Sequence, residues 1–205
     1  MTAAILAGGE NRRMPVPKAF LLVEDKTIME RSIEVLSKIF DKILISTNMP
    51  ERYFSFGLPM VGDVRSARSP MTGILSVLIA TQEDAVFVVA CDMPFLNERL
   101  IRHMKTTFEE HNAGGEQVGA VIPVVGGNAE PLFGIYTRHC IATIEAMLAK
   151  SRKSLIDMFK ETPILSITEE VVKTLDPGGM SFININTFND YERIGGNKGG
   201  NPCLA

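Results

Sequence analysis

The chain has 205 residues, 45% hydrophobic and 22% charged, a length and balance that suit one globular domain with an ordinary buried core. Its 21 Lys and Arg against 24 Asp and Glu leave a formal net charge of −3, so there is no basic excess for a phosphate backbone and general nucleic-acid binding is excluded. No apolar run approaches the roughly 18 residues of a membrane span.

Short apolar runs alternate with amphipathic stretches, the pattern of an α/β domain on a mostly parallel sheet. Thr2–Leu6 reads as a buried strand that runs into Gly8-Gly9. Apolar residues at Ile28, Met29, Ile33, Leu36, Ile39 and Phe40 mark one face of a helix over 27–40. The run KILIS at 42–46 is a second strand, and 58–61 a third, very short one. Ser69-Pro70 opens a helix carrying Ile74, Leu75, Val77 and Leu78, since proline is tolerated in a first turn. Ala85–Ala90 (AVFVVA) is the strongest strand, apolar on both faces as a central parallel strand must be. Leu96, Leu100, Met104 and Phe108 then stripe a helix, and 111–117 (HNAGGEQ) is a polar loop.

Farther along, 118–125 is a strand closed by a Gly126-Gly127 turn, and 132–136 is another apolar run. Ile141, Ile144, Met147 and Leu148 give a helix. A short helix over 154–159, a strand at Ile164–Ile167, an unassigned stretch at Glu169–Leu175, a final strand at 182–185 and a short helix at 188–194 complete the domain, taken as residues 1–194. The tail from 195 to 205 is rich in glycine and has almost nothing to bury, so disorder is expected there. The arginines near the start follow the apolar residues, the wrong order for a secretory signal. Three scattered cysteines, Cys91, Cys140 and Cys203, imply a reducing compartment rather than a disulfide framework. A cytoplasmic chain is therefore expected.

Ligands of open parallel sheets bind beyond the carboxyl ends of the strands. Three loops at that edge carry suitable chemistry. In LAGGENRRMPVPKA (6–19), Gly8 and Gly9 let backbone N–H groups approach an anion closely, and Arg12, Arg13 and Lys18 add positive charge, together a cradle for a polyphosphate. Pro17 before Lys18 and Ala19 after it exclude a Walker-type loop, and adjacent glycines exclude the dinucleotide fingerprint. In CDMPF (91–95), Asp92 ends the strongest strand and suits one Mg²⁺ ligand among phosphates, while Asn97 is the better cap for the following helix. Cys91 reads as a small packing residue. The stretch 63–73 is polar and precedes a helix whose N-terminus can face an anion or nucleotide. His103, His111 and His139 have no metal-ligand spacing.

Taken in order, LAGGENRRMPVPKA, SPMTGILSVL (69–78), CDMPF, EPLFGIY (130–136) and NINTFNDY (184–191) resemble the molybdenum cofactor guanylyltransferases, the molybdopterin-guanine dinucleotide biosynthesis protein A family. The resemblance implies a three-layer αβα sandwich with the Rossmann-like nucleotidyltransferase fold. It implies Mg²⁺-dependent transfer of GMP from GTP to molybdopterin, with release of pyrophosphate and contact with other cofactor-biosynthesis proteins. It places Leu6, Ala7 and Gly8 on the guanine nucleotide through their backbones, with Gly9 and Gly73 in the same binding loops. Lys18 and Arg13 fall on the phosphates, Asn48 and Asp63 on the nucleoside, and Asp92 on Mg²⁺. Asn184 and Asn186 fall on the pterin. A transferase using another base or acceptor, such as a molybdopterin cytidylyltransferase or sugar-phosphate nucleotidyltransferase, and a non-catalytic nucleotide-binding protein are the alternatives. Two positions depart from the family pattern. Pro15 replaces a glycine and removes one N–H donor, and Ser69 replaces a glycine where a positive φ would strain it.

Overall fold

The structure, a computed structural model, describes residues 1–8 and 16–195. In chain order it contains β1 (Thr2–Leu6), β2 (Leu22–Val23), β3 (Lys26–Thr27), α1 (Ile28–Ser37), β4 (Ile43–Ser46), β5 (Met60–Val61) and α2 (Pro70–Thr81). These are followed by β6 (Ala85–Ala90), α3 (Glu98–Ala113), β7 (Ala120–Val125), β8 (Asn128–Ala129) and β9 (Phe133–Thr137). Then come α4 (Ile141–Ala149), α5 (Leu155–Met158), β10 (Ile164–Ile167), α6 (Glu169–Leu175) and α7 (Phe188–Arg193).

The main sheet has the order β10-β7-β9-β6-β1-β4-β5, with β8 paired to β7. β5, β4, β1 and β6 run parallel, β9 runs antiparallel to β6 and β7, and β10 returns parallel to β7. The sheet is thus mostly parallel, with β9 reversed near its centre. Leu6 pairs with Ser46 on one side and Ala90 on the other, which brings the carboxyl ends of β1, β4 and β6 level at one edge.

Strand periodicity splits the core in two. Ala3, Ile5, Phe87 and Val89 point into one cluster with Met29 and Leu36 of α1, Leu100, Ile101 and Met104 of α3 and Val172 of α6. The intervening Ala4, Val86 and Val88 point the other way, onto α2, Ile144 and Met147 of α4 and Leu155 and Met158 of α5. Helices on both faces of one sheet make the three-layer sandwich expected from the alternating pattern. β6 is buried along its full length, as a run apolar on both faces requires.

Caps fix where the helices start. Thr27 and Glu30 form a reciprocal capping box at α1, and Ser69 and Asn97 accept from the backbone N–H groups of Thr72 and Leu100 at α2 and α3. Asn97 therefore caps α3 and leaves Asp92 unused in that role. Gly126 and Gly127, at φ 56° and 76°, make the turn between β7 and β8.

Four expectations change. The helical run begun at Glu98 continues to Ala113 and takes in the first residues of the expected 111–117 loop. The unassigned stretch is α6, capped by Thr168. The β2–β3 hairpin has no counterpart in the sequence reading; its strands are two residues each and carry no period. The final strand expected at 182–185 does not form. A short 3-10 turn at Met180–Phe182 leads into an irregular strap instead. Ile185 of that strap is buried with Leu21, Val23, Ile28 and Tyr191 in a small third cluster against the hairpin. Its apolar residues are held by separate neighbours rather than by a ladder. The tail from 196 to 205, and with it Cys203, lies outside the described residues. No helix among the described residues is long and apolar enough to cross a membrane.

Candidate active site at the carboxyl edge of the sheet

A cavity of about 590 Å³ opens where β1, β4 and β6 end. Its floor is Leu6, Ala7 and Gly8, continuing straight from β1. The path is fixed by backbone bonds, Ala7 N–H to the Ser46 carbonyl at 2.8 Å and Cys91 N–H to the Leu6 carbonyl at 3.1 Å. One wall is the first turn of α2, with Ser69, Pro70 and Gly73. A Cβ on Gly73 would stand 3.2 Å from Ser46 Oγ and 3.3 Å from Leu6 Cδ2, so the glycine lets the helix start press against the strand ends. The N-terminal end of a helix carries partial positive charge and attracts anions, although here Pro70 has no N–H and the Thr72 and Gly73 N–H groups are bonded to Ser69. Ser69 sits at φ −165° and ψ 158°, an extended backbone that any residue adopts. The strain expected at this position is therefore absent. The hydroxyl serves the helix cap.

The opposite wall is Cys91 and Asp92, in the turn that directly follows β6. Lys18 comes from a 3-10 turn at Lys18–Phe20. That turn is anchored by Phe20, whose ring lies 5.4 Å from Tyr53 and 5.7 Å from Phe56, centroid to centroid. Lys18 Nζ donates to Asp92 Oδ2 at 2.9 Å and to Asn186 Oδ1 at 2.8 Å. Both ion-pair side chains keep about a fifth of their surface exposed, 21% and 19%, so the pair is reachable from the cavity. The Cys91 thiol is pushed up to about 12, first by burial and then by the neighbouring Asp92 carboxylate, with Lys18 opposing only in part. It is a protonated packing group, as expected.

Asn48 and Asp63 meet at the far side. Asn48 Nδ2 donates to Asp63 Oδ2 at 2.6 Å, and the Asp63 N–H donates back to Asn48 Oδ1 at 2.8 Å. Asp63 lines the cavity, with Asn48 behind it. Residues 15 apart along two different loops are thereby locked together.

The geometry brings Leu6, Ala7, Gly8, Lys18, Asp63, Gly73 and Asp92 to one cavity. Asn186 joins through Lys18, and Asn48 through Asp63. Asn184 instead donates from Nδ2 to the Phe182 carbonyl at 3.2 Å, within its own strap. Gly9, Arg13 and Pro15 lie outside the described residues. The sequence reading missed Met49, Arg52 and Tyr53, which follow β4 and also line the cavity. The rule that ligands gather at carboxyl strand ends applies to β4 as much as to β1 and β6, and it was the available signal. Burial raises the Tyr53 phenol above its ordinary range, so it stays neutral.

Among the described residues, no group of three or more His, Cys, Asp or Glu side chains is placed to hold a metal ion by itself. A lone carboxylate at a strand end fits a hard divalent cation that takes its other ligands from phosphate oxygens and water. The donor set at Asp92 is of that kind.

Known proteins resemble this chain along most of its length. The model of the MobA-like NTP transferase domain matches residues 3–163. The chain is 33% identical to the molybdenum cofactor guanylyltransferase of Syntrophotalea carbinolica, covering 94% of this chain and 89% of that one. It is 29% identical to the molybdenum cofactor guanylyltransferase of Desulfosudis oleivorans, covering 94% and 93%. The fold matches the crystal structure of molybdopterin-guanine dinucleotide biosynthesis protein A from Archaeoglobus fulgidus with a TM-score of 0.80 at 22% identity, over 95% and 96% of the two chains. On the strength of a matching domain model over most of its length and of relatives aligned nearly end to end, the chain belongs to the MobA-like NTP transferase domain family.

Proposed function

We propose that this chain is a molybdenum cofactor guanylyltransferase that moves GMP from GTP to the terminal phosphate of molybdopterin and releases pyrophosphate, with Mg²⁺. The observation that carries the reading is the Lys18–Asp92 pair, about a fifth exposed, in the wall of a cavity at the carboxyl edge of the sheet. Relatives aligned along 94% of this chain are named for that activity. A phosphate oxygen of the acceptor bonds to the α-phosphorus of GTP as the bond to the bridging oxygen breaks, and the electron pair leaves on pyrophosphate. The acceptor phosphate is already anionic, so no general base is needed. What the protein supplies is alignment and charge neutralisation.

Asp92 is the residue that would hold Mg²⁺, and when bound the cation supplies charge neutralisation on the nucleotide phosphates. Lys18 offsets charge on the triphosphate, and the first turn of α2 at Gly73 adds backbone dipoles on the same side. Leu6, Ala7 and Gly8 present main chain to the nucleotide, and Asp63, braced by Asn48, contacts the nucleoside. Gly9 and Arg13, which lie outside the described residues, are assigned to the nucleotide on the strength of the motif alone. Asn184 and Asn186 lie on the strap, on the acceptor side. We assign this activity to a domain of residues 1–194 in the cytoplasm, working with other cofactor-biosynthesis proteins.

Calorimetry with GTP, CTP and ATP in Mg²⁺, on wild type and Lys18→Ala, tests the reading. A GTP preference that weakens in the variant supports it. A preference for another base keeps the transfer chemistry and changes the product. Binding of none of the three overturns it.

A further inference from the structure

An ammonium has three N–H donors and no acceptor. Two of those on Lys18 are taken, by Asp92 Oδ2 at 2.9 Å and Asn186 Oδ1 at 2.8 Å. Among the described residues nothing accepts from the third, and Lys18 lines the cavity. Because lysine can only donate, it also dictates that the amide oxygen of Asn186, not its nitrogen, faces the site.

Asn186 is exposed, yet its backbone is tied on both sides. Before it, Ile185 N–H donates to the Asp92 carbonyl at 3.0 Å and the Ile185 side chain is fully buried. After it, the backbone N–H groups of Asn186 and Thr187 both donate to Asp190 Oδ2, at 3.1 Å and 2.8 Å. A closed ring results: the Asp92 side chain holds Lys18, Lys18 holds Asn186, and the adjoining Ile185 amide holds the Asp92 main chain. A fixed acceptor on the strap thus sets the rotation of the ammonium, which a single carboxylate partner would leave free.

We infer that Asn186 is a positioning residue for nucleotide binding, orienting the ammonium of Lys18 so that its remaining donor meets a phosphate oxygen. This rests on the proposed placing of GTP phosphates at Lys18. It separates Asn186 from a residue whose sole duty is to touch the acceptor, since the effect is present before any acceptor arrives.

The test is a double-mutant cycle on GTP affinity, measured by calorimetry with Mg²⁺ and no acceptor, using wild type, Asn186→Leu, Lys18→Met and the double variant. Losing a hydrogen bond to a charged group makes Asn186→Leu weaken GTP binding about tenfold. In the Lys18→Met background the same change costs less than about twofold, because interacting residues are not additive. Guanosine, which has no phosphate, binds wild type and Asn186→Leu alike. A merely structural disturbance of the strap would weaken guanosine as well, or persist without Lys18, and either result overturns the inference. So does unchanged GTP affinity in Asn186→Leu while Lys18→Met is weakened, and that outcome leaves the proposed function standing. Wild-type protein that binds no GTP overturns the proposed function first, and this inference with it.

Discussion

The two sides of the cavity are built on different principles. Asp92, Leu6 and Gly73 are carried at or just beyond the ends of regular elements whose residues are mostly buried, so their positions are set by the core. Asn184 and Asn186 are carried by an irregular strap held by a few tethers: the Ile185 amide on the Asp92 carbonyl, the Ile185 side chain against the hairpin, and the Tyr191 hydroxyl on the Leu22 carbonyl at 2.6 Å. A wall that neutralises phosphate charge gains from rigidity, because preorganised dipoles need not rearrange during reaction. A wall with few anchors opens locally at lower free energy than the core.

The sharpest way to break the contrast is in the core. Phe87 of β6 is fully buried and packs on Phe40 and Phe133, so Phe87→Ala should cost about 3–5 kcal/mol of global stability in denaturant unfolding. Asp92→Asn should lower turnover by a factor of about 10²–10³, roughly 3–4 kcal/mol, with the unfolding midpoint close to that of wild type. A variant that keeps near wild-type pyrophosphate release removes Asp92 from the reaction. Ile185→Ala should cost about 2–3 kcal/mol. Its signature is local, with faster hydrogen exchange at the strap amides and little change along β6; equal acceleration in both would mean that the strap and core form one cooperative unit. Tyr191→Phe removes one tether and should cost about 0.5–1.5 kcal/mol, read as a smaller exchange effect at the same amides.

The smallest effect concerns Glu130, in the turn that leads into β9. Burial raises its carboxyl above the ordinary glutamate range. A carboxyl raised in the folded state binds its proton more tightly there than in the unfolded chain. Stability therefore falls as pH rises through the unfolded value towards the folded one, and the penalty stays at neutral pH. Glu130→Gln should raise the melting temperature at pH 7 and leave it unchanged at low pH, where both states are protonated. An equal shift at both values would assign the gain to packing instead.

Legibility followed the number of neighbours that constrain each segment. β6 was read to the residue because a central strand must be apolar on both faces, and α2 because a hydroxyl and a proline mark a first turn. The reversal of β9 was not legible, since an apolar run buried on both faces carries no sign of direction. The segment 182–185 is a short apolar run broken by one asparagine, but Phe182 packs with the large core and Ile185 with the hairpin cluster. Its apolar residues record two unrelated burial sites. At the candidate site, glycine and charge spacing pointed to the floor and to Lys18 and Asp92, whereas Arg52 and Tyr53 belong to a loop with no distinguishing composition. The link from Lys18 to Asn186 joins residues 168 apart in sequence, a pairing that only the folded chain displays.

The aromatic inventory has an optical consequence. The chain has no tryptophan and three tyrosines, so its intrinsic emission divides among Tyr53, Tyr136 and Tyr191. Tyr136 and Tyr191 donate to the carbonyls of Pro131 and Leu22, each at 2.6 Å, and report on β9 and the strap. Tyr53 alone lines the cavity. The molecule therefore carries its own fluorophore in the wall of its candidate site, and an occupant that stacks near that ring quenches it without any label being attached.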